Sequence, residues 1–361
     1  MLSLCMIVKN EEKQIKDFLE HIYDCVDEII IVDTGSSDDT KKIAATFPKV
    51  KTYDAQWEND FAKARNKSLK YAKGEWILVL DADERISKKD QAKISGLIKK
   101  ERVTGFFLIQ RNYTHDPHTR YFVSSYGDAY AESKPFLGWT EHHVVRLFQN
   151  KPEIFYCFKV HELVEPSIEA AQGKVKESEI PIHHYGHVDL KSVEKKFGMY
   201  AKICEQKCKD NPEDERAWFE HGINQLKLKK YKRAKDCFER VYVLNRMHPL
   251  VCAYLVEVYG LLQDAIGVIS SFQRGVQSNP LDVHLYLNIG AIFFVNKKWK
   301  EAAKAYQQAI EVERKNSTAW FGAGMSYYHL GEQEKAKQAL KQVLKLYPEH
   351  PKAKELLEKM G

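Results

Sequence analysis

The chain has 361 residues, of which 56 are Lys or Arg and 50 are Asp or Glu, so its formal net charge is +6 at pH 7. Such a diffuse surplus predicts no nucleic-acid surface, and no apolar run is long enough to predict a membrane span. The start lacks the basic leader and cleavage site of a signal peptide, and seven cysteines without a Cys-x-x-Cys pair predict reduced thiols in the cytoplasm.

Predicted strands and helices alternate at the beginning of the chain. Apolar strand runs occupy residues 3–8, 28–32, 50–53 and 76–80, and helical patterns occupy residues 15–26, 41–47 and 61–73. This order predicts a parallel sheet with right-handed crossovers. Because such sheets bind ligands at the carboxyl ends of their strands, the residues that follow each strand are candidate site residues.

Aspartates follow two of these strands. Asp33 begins a turn after the second strand, and Asp81 and Asp83 follow the fourth. In an extended strand, residues i and i+2 project to the same side, so Asp81 and Asp83 can face one hard cation such as Mg²⁺ or Mn²⁺. The alternative is an Asp-rich turn that caps the next helix.

Four segments together resemble the family 2 glycosyltransferases of the GT-A fold. They are residues 3–12 (Ser-Leu-Cys-Met-Ile-Val-Lys-Asn-Glu-Glu), 32–40, 61–66 (Phe-Ala-Lys-Ala-Arg-Asn) and 76–84. Their order and spacing make the resemblance far more specific than Asp-x-Asp alone. The resemblance implies an α/β, Rossmann-like domain with a mostly parallel sheet, a UDP-sugar donor and Mn²⁺ or Mg²⁺.

The loop after the first strand argues against two related classes. Residues 9–12 contain no glycine, so the backbone offers no bare surface to a triphosphate or a dinucleotide. Sugar-phosphate nucleotidyltransferases and dinucleotide-binding dehydrogenases are therefore disfavoured.

The resemblance also implies roles for single residues. The expected donor-binding residues are Val8, Asn10, Glu11, Asp33, Asp38, Arg65, Asp81 and Ala82. Asp33 would accept an N–H of the base, and Arg65 offers a charged fork to phosphate, unless it forms a surface ion pair with Asp60 or Glu58. Asp83 would hold the metal that bridges the diphosphate.

The pattern weakens after Arg85, where an acceptor site is expected. A helix is predicted at residues 88–100 and a strand at 105–111, but residues 114–140 have no clean period and suggest a lid or binding loop. Its aromatic residues either flank an acceptor sugar or peptide or pack the loop: Tyr121, Tyr126, Tyr130 and Trp139.

Two further strand-like runs, at residues 142–148 and 154–160, lead to His161 and Glu162. Sugar transfer needs a base that deprotonates the acceptor, and a strand-end carboxylate suits that role. A Val-His-Glu step recurs here in the resembling family, which implies Glu162 as the base and His161 as its catalytic neighbour. Glu141 and Asp128 are the alternative bases, and a solvated charge is the non-catalytic interpretation of Glu162.

Three histidines, His183, His184 and His187, lie close together near the end of this half. GT-A enzymes frequently recruit a late histidine to the metal, so the resemblance implies His184 as a ligand beside Asp83. The alternative is a turn in which one histidine is buried and hydrogen bonded.

The rest of the chain is helical and repetitive. One set of large and small residues recurs after 68 and again after 34 positions: Trp218, Gly222, Ala234 and Phe238; Tyr286, Gly290, Ala302 and Tyr306; Trp320, Gly324, Ala336 and Leu340. A period of 34 is the tetratricopeptide signature, with two antiparallel helices per unit. The unit at residues 249–280 has Val256 and Val268 where Gly and Ala are expected, so it is degenerate.

The predicted domains are a GT-A domain at residues 1–190, a linking helix at 191–212, and an all-α tetratricopeptide solenoid of about four repeats at 213–361. Together they predict a metal-dependent, inverting transferase that moves sugar from a UDP-sugar to a peptide or protein held by the repeats. Glu220, Asn224 and Asn288 are the expected acceptor contacts. Alternatives are surface-polysaccharide or lipid-linked glycan assembly and a non-catalytic scaffold; a homo-oligomer is possible.

Overall fold

The computed structural model describes residues 1–99, 103–117, 119, 121–186 and 190–360. The chain divides into two compact units, Met1–Val193 and Glu194–Gly361. The expected boundaries at residues 190 and 212 remain predictions. None of the helices in the described ranges is both long and apolar enough to cross a membrane.

The first unit mixes strands and helices. Its elements are β1 (Leu2–Val8), α1 (Ile15–Ile22), β2 (Glu28–Asp33), α2 (Thr40–Ala44), β3 (Val50–Asp54), α3 (Phe61–Tyr71), β4 (Trp76–Val79), β5 (Glu84–Arg85), α4 (Lys88–Ile98), β6 (Gly105–Thr114), β7 (Val123–Ser124), β8 (Gly138–Gln149), α5 (Glu165–Ala170) and β9 (Val175–His184).

The strands form one sheet in the order β3-β2-β1-β4-β8-β6-β9-β5, with β7 beside β8. β3, β2, β1 and β4 are parallel, as the alternating pattern predicts. β8 then runs antiparallel to both β4 and β6, whereas β6 and β9 are parallel. The α/β fold class is confirmed, but the sheet is mixed, because β8 returns beside β6 without a helical crossover.

The unbroken apolar runs of β1 and β2 arise because both faces of the sheet are covered. β1 directs Leu4 and Met6 to one face and Cys5 to the other. α1 packs Phe18 on the first face, and α3 packs Ala62 on the second. Burial on both faces removes the alternation expected of a half-exposed strand and leaves the carboxyl ends of the strands as the open edge.

Two predictions for the end of this unit are wrong. Residues 154–160 are not a strand, because the Asn66 side chain both donates to and accepts from the Tyr156 backbone, at 2.8 and 2.7 Å. A single bridge between Cys157 and Leu163 then closes the following loop. His183 and His184, in contrast, lie on a strand and not in a turn, since they end β9 between β6 and β5.

The second unit consists of helices: α6 (Leu190–Asp210), α7 (Glu215–Lys227), α8 (Tyr231–Leu244), α9 (Val251–Leu261), α10 (Ala265–Ser278), α11 (Val283–Val295), α12 (Trp299–Val312), α13 (Ser317–His329), α14 (Gln333–Leu346) and α15 (Pro351–Lys359). The turns inside the helix pairs contain a left-handed residue every 34 positions: Lys229, Gln263, Lys297 and Gly331. The predicted period is confirmed, and the degenerate repeat keeps it.

The starts of the first helices of the pairs follow the same period. A side chain accepts a backbone N–H at each of five positions spaced by 34: Asp214, His248, Asp282, Asn316 and His350. Such caps satisfy donors that a helix leaves open at its N-terminus. Helix starts and turns therefore fix the repeat geometry independently of the core residues.

Large residues of the second helix pack on glycines of the first helix in the regular repeats. A methyl group added at Gly222 would lie 2.6 Å from Phe238, and one at Gly290 would lie 3.0 Å from Tyr306. The degenerate repeat reverses this relationship, since the ring of its first-helix Tyr259 crowds the backbone of Gly267 on α10. Close helix approach is thus kept with the small residue on the opposite helix.

The expected acceptor contacts have other partners. Glu220 is buried and accepts from Lys207 at 2.8 Å and from Arg216 at 2.6 Å. Asn224 is buried and donates to the Cys204 sulfur, and Asn288 donates to a backbone carbonyl of α9. Glu220 and Asn224 thus hold helices together from buried positions, whereas Asn288 is half-buried, and the role of the three as acceptor contacts stays a prediction.

The glycine packing gives the first testable prediction. Gly222→Ala should lower the free energy of unfolding by about 1–3 kcal/mol, because the fully buried Phe238 ring has to shift. The matched change Gly198→Ala in α6 meets no atom within 4 Å. It should raise stability by about 0.5–1 kcal/mol through helix propensity. Urea unfolding of the full chain, followed by circular dichroism, measures both; the same sign for both variants would contradict the packing account.

Candidate active site

A tight turn, not an extended strand, carries Asp81 and Asp83. β4 ends at Val79, and the turn is closed by hydrogen bonds from the Glu84 N–H to the Asp81 carbonyl and from the Asp81 N–H to Glu84 Oε2, at 3.0 and 2.9 Å. The argument that period two sets both carboxylates on one cation is therefore wrong. Each carboxylate has its own partners.

Asp83 lies against His184 at the end of β9. Antiparallel pairing of β5 with β9 sets Glu84 opposite His184, which brings Asp83 Oδ2 to 3.2 Å from His184 Nε2. His184 Nδ1 lies 2.5 Å from Asn112 Oδ1, an acceptor, so Nδ1 carries the proton and Nε2 is turned toward Asp83. The backbone of Gly186 lies against the same pair, and a Cβ there would overlap Asp83 Oδ2.

Asp83 and His184 are placed as two side chains that bind the same divalent cation would be. Ligand atoms that bind one ion at about 2.1 Å and at right angles are about 3 Å apart, close to the separation of Asp83 Oδ2 and His184 Nε2. A second-sphere acceptor on the other imidazole nitrogen, as Asn112 provides, is the usual support for a metal-binding histidine. The described residues contain no group of three or more His, Cys, Asp and Glu side chains that could hold a metal. Oxygen atoms of the sugar donor would therefore have to complete the coordination. His187 lies outside the described residues.

Arg65 is buried, with only 5% of its surface exposed, and joins two carboxylates. Its Nη2 donates to both oxygens of Asp81, at 3.0 and 3.1 Å, and its Nε donates to Glu162 Oε1 at 2.6 Å. Burial disfavours the charged guanidinium, but Asp81 and Glu162 outweigh it and raise the pKa of Arg65 above its ordinary value. Asp60 instead caps α3, and Glu58 pairs with Lys63, so the alternative of a surface ion pair is wrong.

Sequence reasoning missed Arg146 and Glu84. Arg146 Nη2 lies 3.3 Å from Glu84 Oε1 and 3.6 Å from Asp81 Oδ2, and Glu84 is fully buried. Burial opposes the charge of Arg146 too, but Glu84 and Asp81 raise its pKa. The available signal was a lone arginine inside the apolar run of β8, Val144 to Phe148, where a charge is retained only when it is paired.

Glu162 belongs to the same cluster as the β4 turn. Its side chain is 13% exposed and is held by Arg65, which also holds Asp81. The interpretation of Glu162 as a solvated strand-end charge is therefore wrong. The neighbouring His161 is exposed and has a left-handed backbone, with φ of 51°.

The two alternative bases have other surroundings. Asp128 accepts from Arg111 Nη1 with both oxygens, at 3.1 and 3.2 Å. Glu141 is exposed on β8, where Trp139 Nε1 donates to it at 3.4 Å. Among the residues that the structure describes, neither forms a hydrogen bond or ion pair with Arg65 or Arg146.

Asp33 ends β2 with a buried carboxylate. Its Oδ1 accepts from the N–H groups of Gly35 and Ser36, at 2.8 and 2.7 Å. Its Oδ2 is buried and has no hydrogen-bond partner among the described residues. Because a buried carboxylate oxygen is costly when unpaired, this atom is a candidate acceptor for a ligand N–H.

The other expected donor-binding residues tie the loops after β1 and β2 together. Asn10, with φ of 59°, accepts from the Ser37 N–H at 2.8 Å. Asp38 accepts from the Thr40 hydroxyl and N–H, and these hydrogen bonds lower its pKa against the opposing effect of burial. The Glu11 N–H donates to Thr40 as well.

Two more expected residues contribute through their backbones. The Val8 carbonyl is taken by the Thr34 N–H and hydroxyl, at 3.0 and 3.1 Å. The Ala82 carbonyl accepts from Arg85 Nη1 at 2.7 Å. Among Val8, Asn10, Glu11, Asp38 and Ala82, the contacts found are those that shape the loops around Asp33 and Asp83.

The irregular segment after β6 divides into packed and exposed aromatic residues. The Arg111 guanidinium lies over both Tyr130 and Trp139, at 4.9 and 4.3 Å from the ring centroids. Tyr121 and Tyr126 are 50% and 63% exposed. Tyr130 and Trp139 therefore pack the loop, which leaves Tyr121 and Tyr126 as the residues of this set that could meet an acceptor.

Parts of the chain are similar to several known proteins. The chain is similar to a TPR repeat-containing protein of Synechococcus elongatus, at 32% identity over 192 residues, which are 52% of this chain and 42% of that protein. It is similar to the SPbeta prophage-derived glycosyltransferase SunS of Bacillus subtilis, at 36% identity over 159 residues, 44% of this chain and 33% of SunS. The human protein O-mannosyl-transferase TMTC3 matches at 27% identity over 139 residues, 37% of this chain and 15% of that protein.

The chain thus spans less than half the length of these curated relatives. Residues 3–160 match the family model described as glycosyl transferase family 2. Residues 269–311 and 295–360 match models described as tetratricopeptide repeats. The chain therefore carries a glycosyltransferase family 2 domain, which is followed by tetratricopeptide repeats.

Proposed function

We propose that this protein transfers a sugar from a UDP-sugar to an acceptor, with inversion at the anomeric carbon and with help from Mg²⁺ or Mn²⁺. The observation that carries the proposal is the Asp83–His184 pair, in which Asn112 turns His184 Nε2 toward the carboxylate. Asp33 supports a uracil-containing donor, because its unpaired Oδ2 suits the imide N–H of that base. Both features follow strand ends of one sheet.

The expected chemistry divides between the metal and the protein. The bound cation would neutralise charge on the diphosphate as it leaves. Glu162 would accept the proton of the acceptor hydroxyl or thiol while that oxygen or sulfur bonds to the anomeric carbon and the bond from carbon to phosphate oxygen breaks. Arg65 positions Glu162 through its Nε, and its buried, unpartnered Nη1 is a donor that a phosphate oxygen could satisfy.

A peptide or protein is the acceptor that we propose. Tetratricopeptide repeats bind peptides in many proteins, and TMTC3, similar over 37% of this chain, is named a protein O-mannosyl-transferase. Assembly of a surface polysaccharide or lipid-linked glycan would use the same donor site and differs only in acceptor. The paired Asp83 and His184 and the buried Asp33 disfavour a scaffold without turnover, because such a scaffold needs none of them.

The cytoplasm is the proposed compartment. All seven cysteines are free thiols, and four of them are buried in ways that raise their pKa to about 12: Cys5, Cys204, Cys208 and Cys237. Such thiols stay protonated near neutral pH and are poor nucleophiles.

The metal site predicts a metal-dependent affinity for UDP. Calorimetry on the parent protein should show UDP binding at least about tenfold tighter with Mn²⁺ than with EDTA, because a cation offsets the repulsion between diphosphate and carboxylates. Asp83→Ala should abolish that difference. Asn112→Ala should weaken Mn²⁺ binding by about 10- to 100-fold, the usual effect of losing a second-sphere partner.

His143→Ala is the matched control, since His143 is half exposed and pairs with Glu177 on the surface. It should leave the effect of Mn²⁺ on UDP affinity unchanged. Equal UDP affinity with and without metal in the parent protein would contradict the proposed site.

The base assignment predicts a loss of turnover without a loss of donor binding. Glu162→Gln should lower kcat by about 100-fold or more and leave the Kd for UDP within a few-fold of the parent value. Glu162 also pairs with buried Arg65, so the substitution could unfold the protein. The melting temperature of the Glu162→Gln variant is therefore measured beside its kinetics, which separates loss of folding from loss of activity.

Glu141→Gln, at an exposed position of β8, and Asp128→Asn are the controls. Both should keep most of the parental turnover with any acceptor that the enzyme uses. Near-parental turnover of Glu162→Gln, with a large loss in one control, would transfer the role of base to that residue.

A further inference from the structure

The turns inside the helix pairs follow one another along one edge of the repeat unit. With the adjoining helix ends, these turns occupy residues 226–233, 260–267, 294–301 and 328–335. The ends of neighbouring first helices are in contact, since a Cβ at Gly260 would lie 2.6 Å from Ile292. His329 likewise stacks on Trp299, with ring centroids 4.3 Å apart. Equivalent residues of successive turns therefore form rows along this edge, which we call the turn edge.

The turn edge is strongly basic. Its first three turns contain eight Lys or Arg residues and two acidic residues, Asp264 and Glu301. The eight basic residues are exposed and form no ion pair with the residues that the structure describes: Lys227, Lys229, Lys230, Lys232, Arg233, Lys297, Lys298 and Lys300. The fourth turn has Glu332 and Glu334 beside Lys335, so the basic surface ends there.

Three aliphatic side chains project from the middle of the turn edge. Leu261 is 47% exposed, Ile266 is 82% exposed and Val295 is 80% exposed. Ile266 holds the position that Lys232 and Lys300 hold 34 residues before and after it. Side chains exposed to this extent contribute little to the core of the solenoid. The edge therefore presents apolar tips between two groups of lysines.

The opposite edge of the same repeats has exposed aliphatic residues without this surplus of charge. There, residues 245–250, 279–282 and 313–316 link one helix pair to the next, and Met247 and Leu281 are 67% and 74% exposed. These links contain three Lys or Arg residues and two acidic residues. The combination of apolar tips with many unpaired lysines is thus particular to the turn edge and is not required by the fold.

We propose that the turn edge binds the surface of a membrane that contains anionic lipids. The basic side chains pair with lipid phosphate groups, and Leu261, Ile266 and Val295 enter the boundary between the headgroups and the acyl chains. Such a peripheral contact needs no membrane-spanning helix. The surface lies within the repeat unit, so the inference does not depend on the proposed transferase reaction.

Other occupants fit the turn edge less well. Nucleic acid would pair its phosphates with the lysines but would leave the three aliphatic side chains in water. A second copy of this chain, bound through the same edge, would set the lysines of both copies against each other. An anionic lipid surface satisfies the charges and the apolar tips together.

Vesicle binding by the full chain tests this inference. Flotation is measured with vesicles of phosphatidylcholine that contain about one third phosphatidylglycerol, and with vesicles of phosphatidylcholine alone. The protein should bind the anionic vesicles at least about tenfold more tightly, because the lysines gain nothing from a neutral surface. Added salt should weaken this binding, since exposed charges are screened.

Variants of the turn edge locate the contact. The double change Lys232→Glu and Lys300→Glu reverses a charge on each side of Ile266, and the equivalent residue of the last repeat is already Glu334. A glutamate in the first turn of a helix is favourable, so these variants should fold. Their affinity for anionic vesicles should fall by about tenfold or more, and Ile266→Ser should lower it several-fold.

The opposite edge supplies the matched controls. Arg314→Glu with Lys315→Glu changes the net charge equally at two exposed positions, and Leu281→Ser removes an equally exposed aliphatic side chain. Both should bind anionic vesicles like the parent protein. Circular dichroism verifies that each variant is folded.

Three results would overturn the inference. One is that the protein binds neither kind of vesicle or binds both equally. A second is that the Lys232 and Lys300 double variant binds anionic vesicles as well as the parent protein does. A third is tighter binding to duplex DNA than to anionic vesicles with no effect of Ile266→Ser on either, which would make the edge a nucleic-acid surface.

Discussion

The geometry of the first unit depends on the two ion pairs of the buried Arg65 guanidinium. A charge that is removed from water is tolerated only when its partners are in place, and loss of one partner of such a pair costs about 3–5 kcal/mol. Arg65 therefore requires both Asp81, in the turn after β4, and Glu162, in the loop after Cys157. The next residue, Asn66, holds the backbone of Tyr156 in the same loop. One turn of α3 thus holds the turn after β4 and the loop that carries Glu162 in fixed positions relative to each other.

The arginines also explain why the two aspartates of the turn have different roles. Asp81 lies near Arg65 and Arg146, so most of its charge is already compensated. Asp83 instead contacts the imidazole of His184, whose Nδ1 lies against Asn112 Oδ1. A carboxylate beside an imidazole nitrogen presents two atoms of the kind that bind divalent cations, whereas a carboxylate between two guanidinium groups is held by them. Asp81 therefore orders the turn, and Asp83 is the carboxylate on which the proposed metal site rests.

The sequence predicts best the features that local patterns determine. Strands buried on both faces read as unbroken apolar runs, so β1, β2 and β4 were predictable, and Asp33 and Asp83 followed from their ends. The partners of Arg65 were not predictable from local patterns, because Asp81 and Glu162 are 16 and 97 residues away along the chain. The irregular course of residues 154–160 depends likewise on Asn66, 90 residues before Tyr156. The mixed half of the sheet depends on strand order, which hydrophobic periodicity does not encode.

In the repeat unit, the residues that determine the backbone geometry are different from the residues that fill the core. Caps and left-handed turns recur every 34 residues through all repeats, the degenerate one included. In that repeat, Tyr259 packs on Gly267, so the small residue has moved to the second helix without a change of period. Because the caps and turns at the helix ends fix the backbone of each repeat, the side chains of α10 can depart from the packing pattern of the other repeats. Phe272 is accordingly half-buried where Phe238 and Tyr306 are buried, and Ile269 is exposed at a position that is lysine in two other repeats. The departure of the degenerate repeat from the common sequence pattern therefore alters its surface and not its fold.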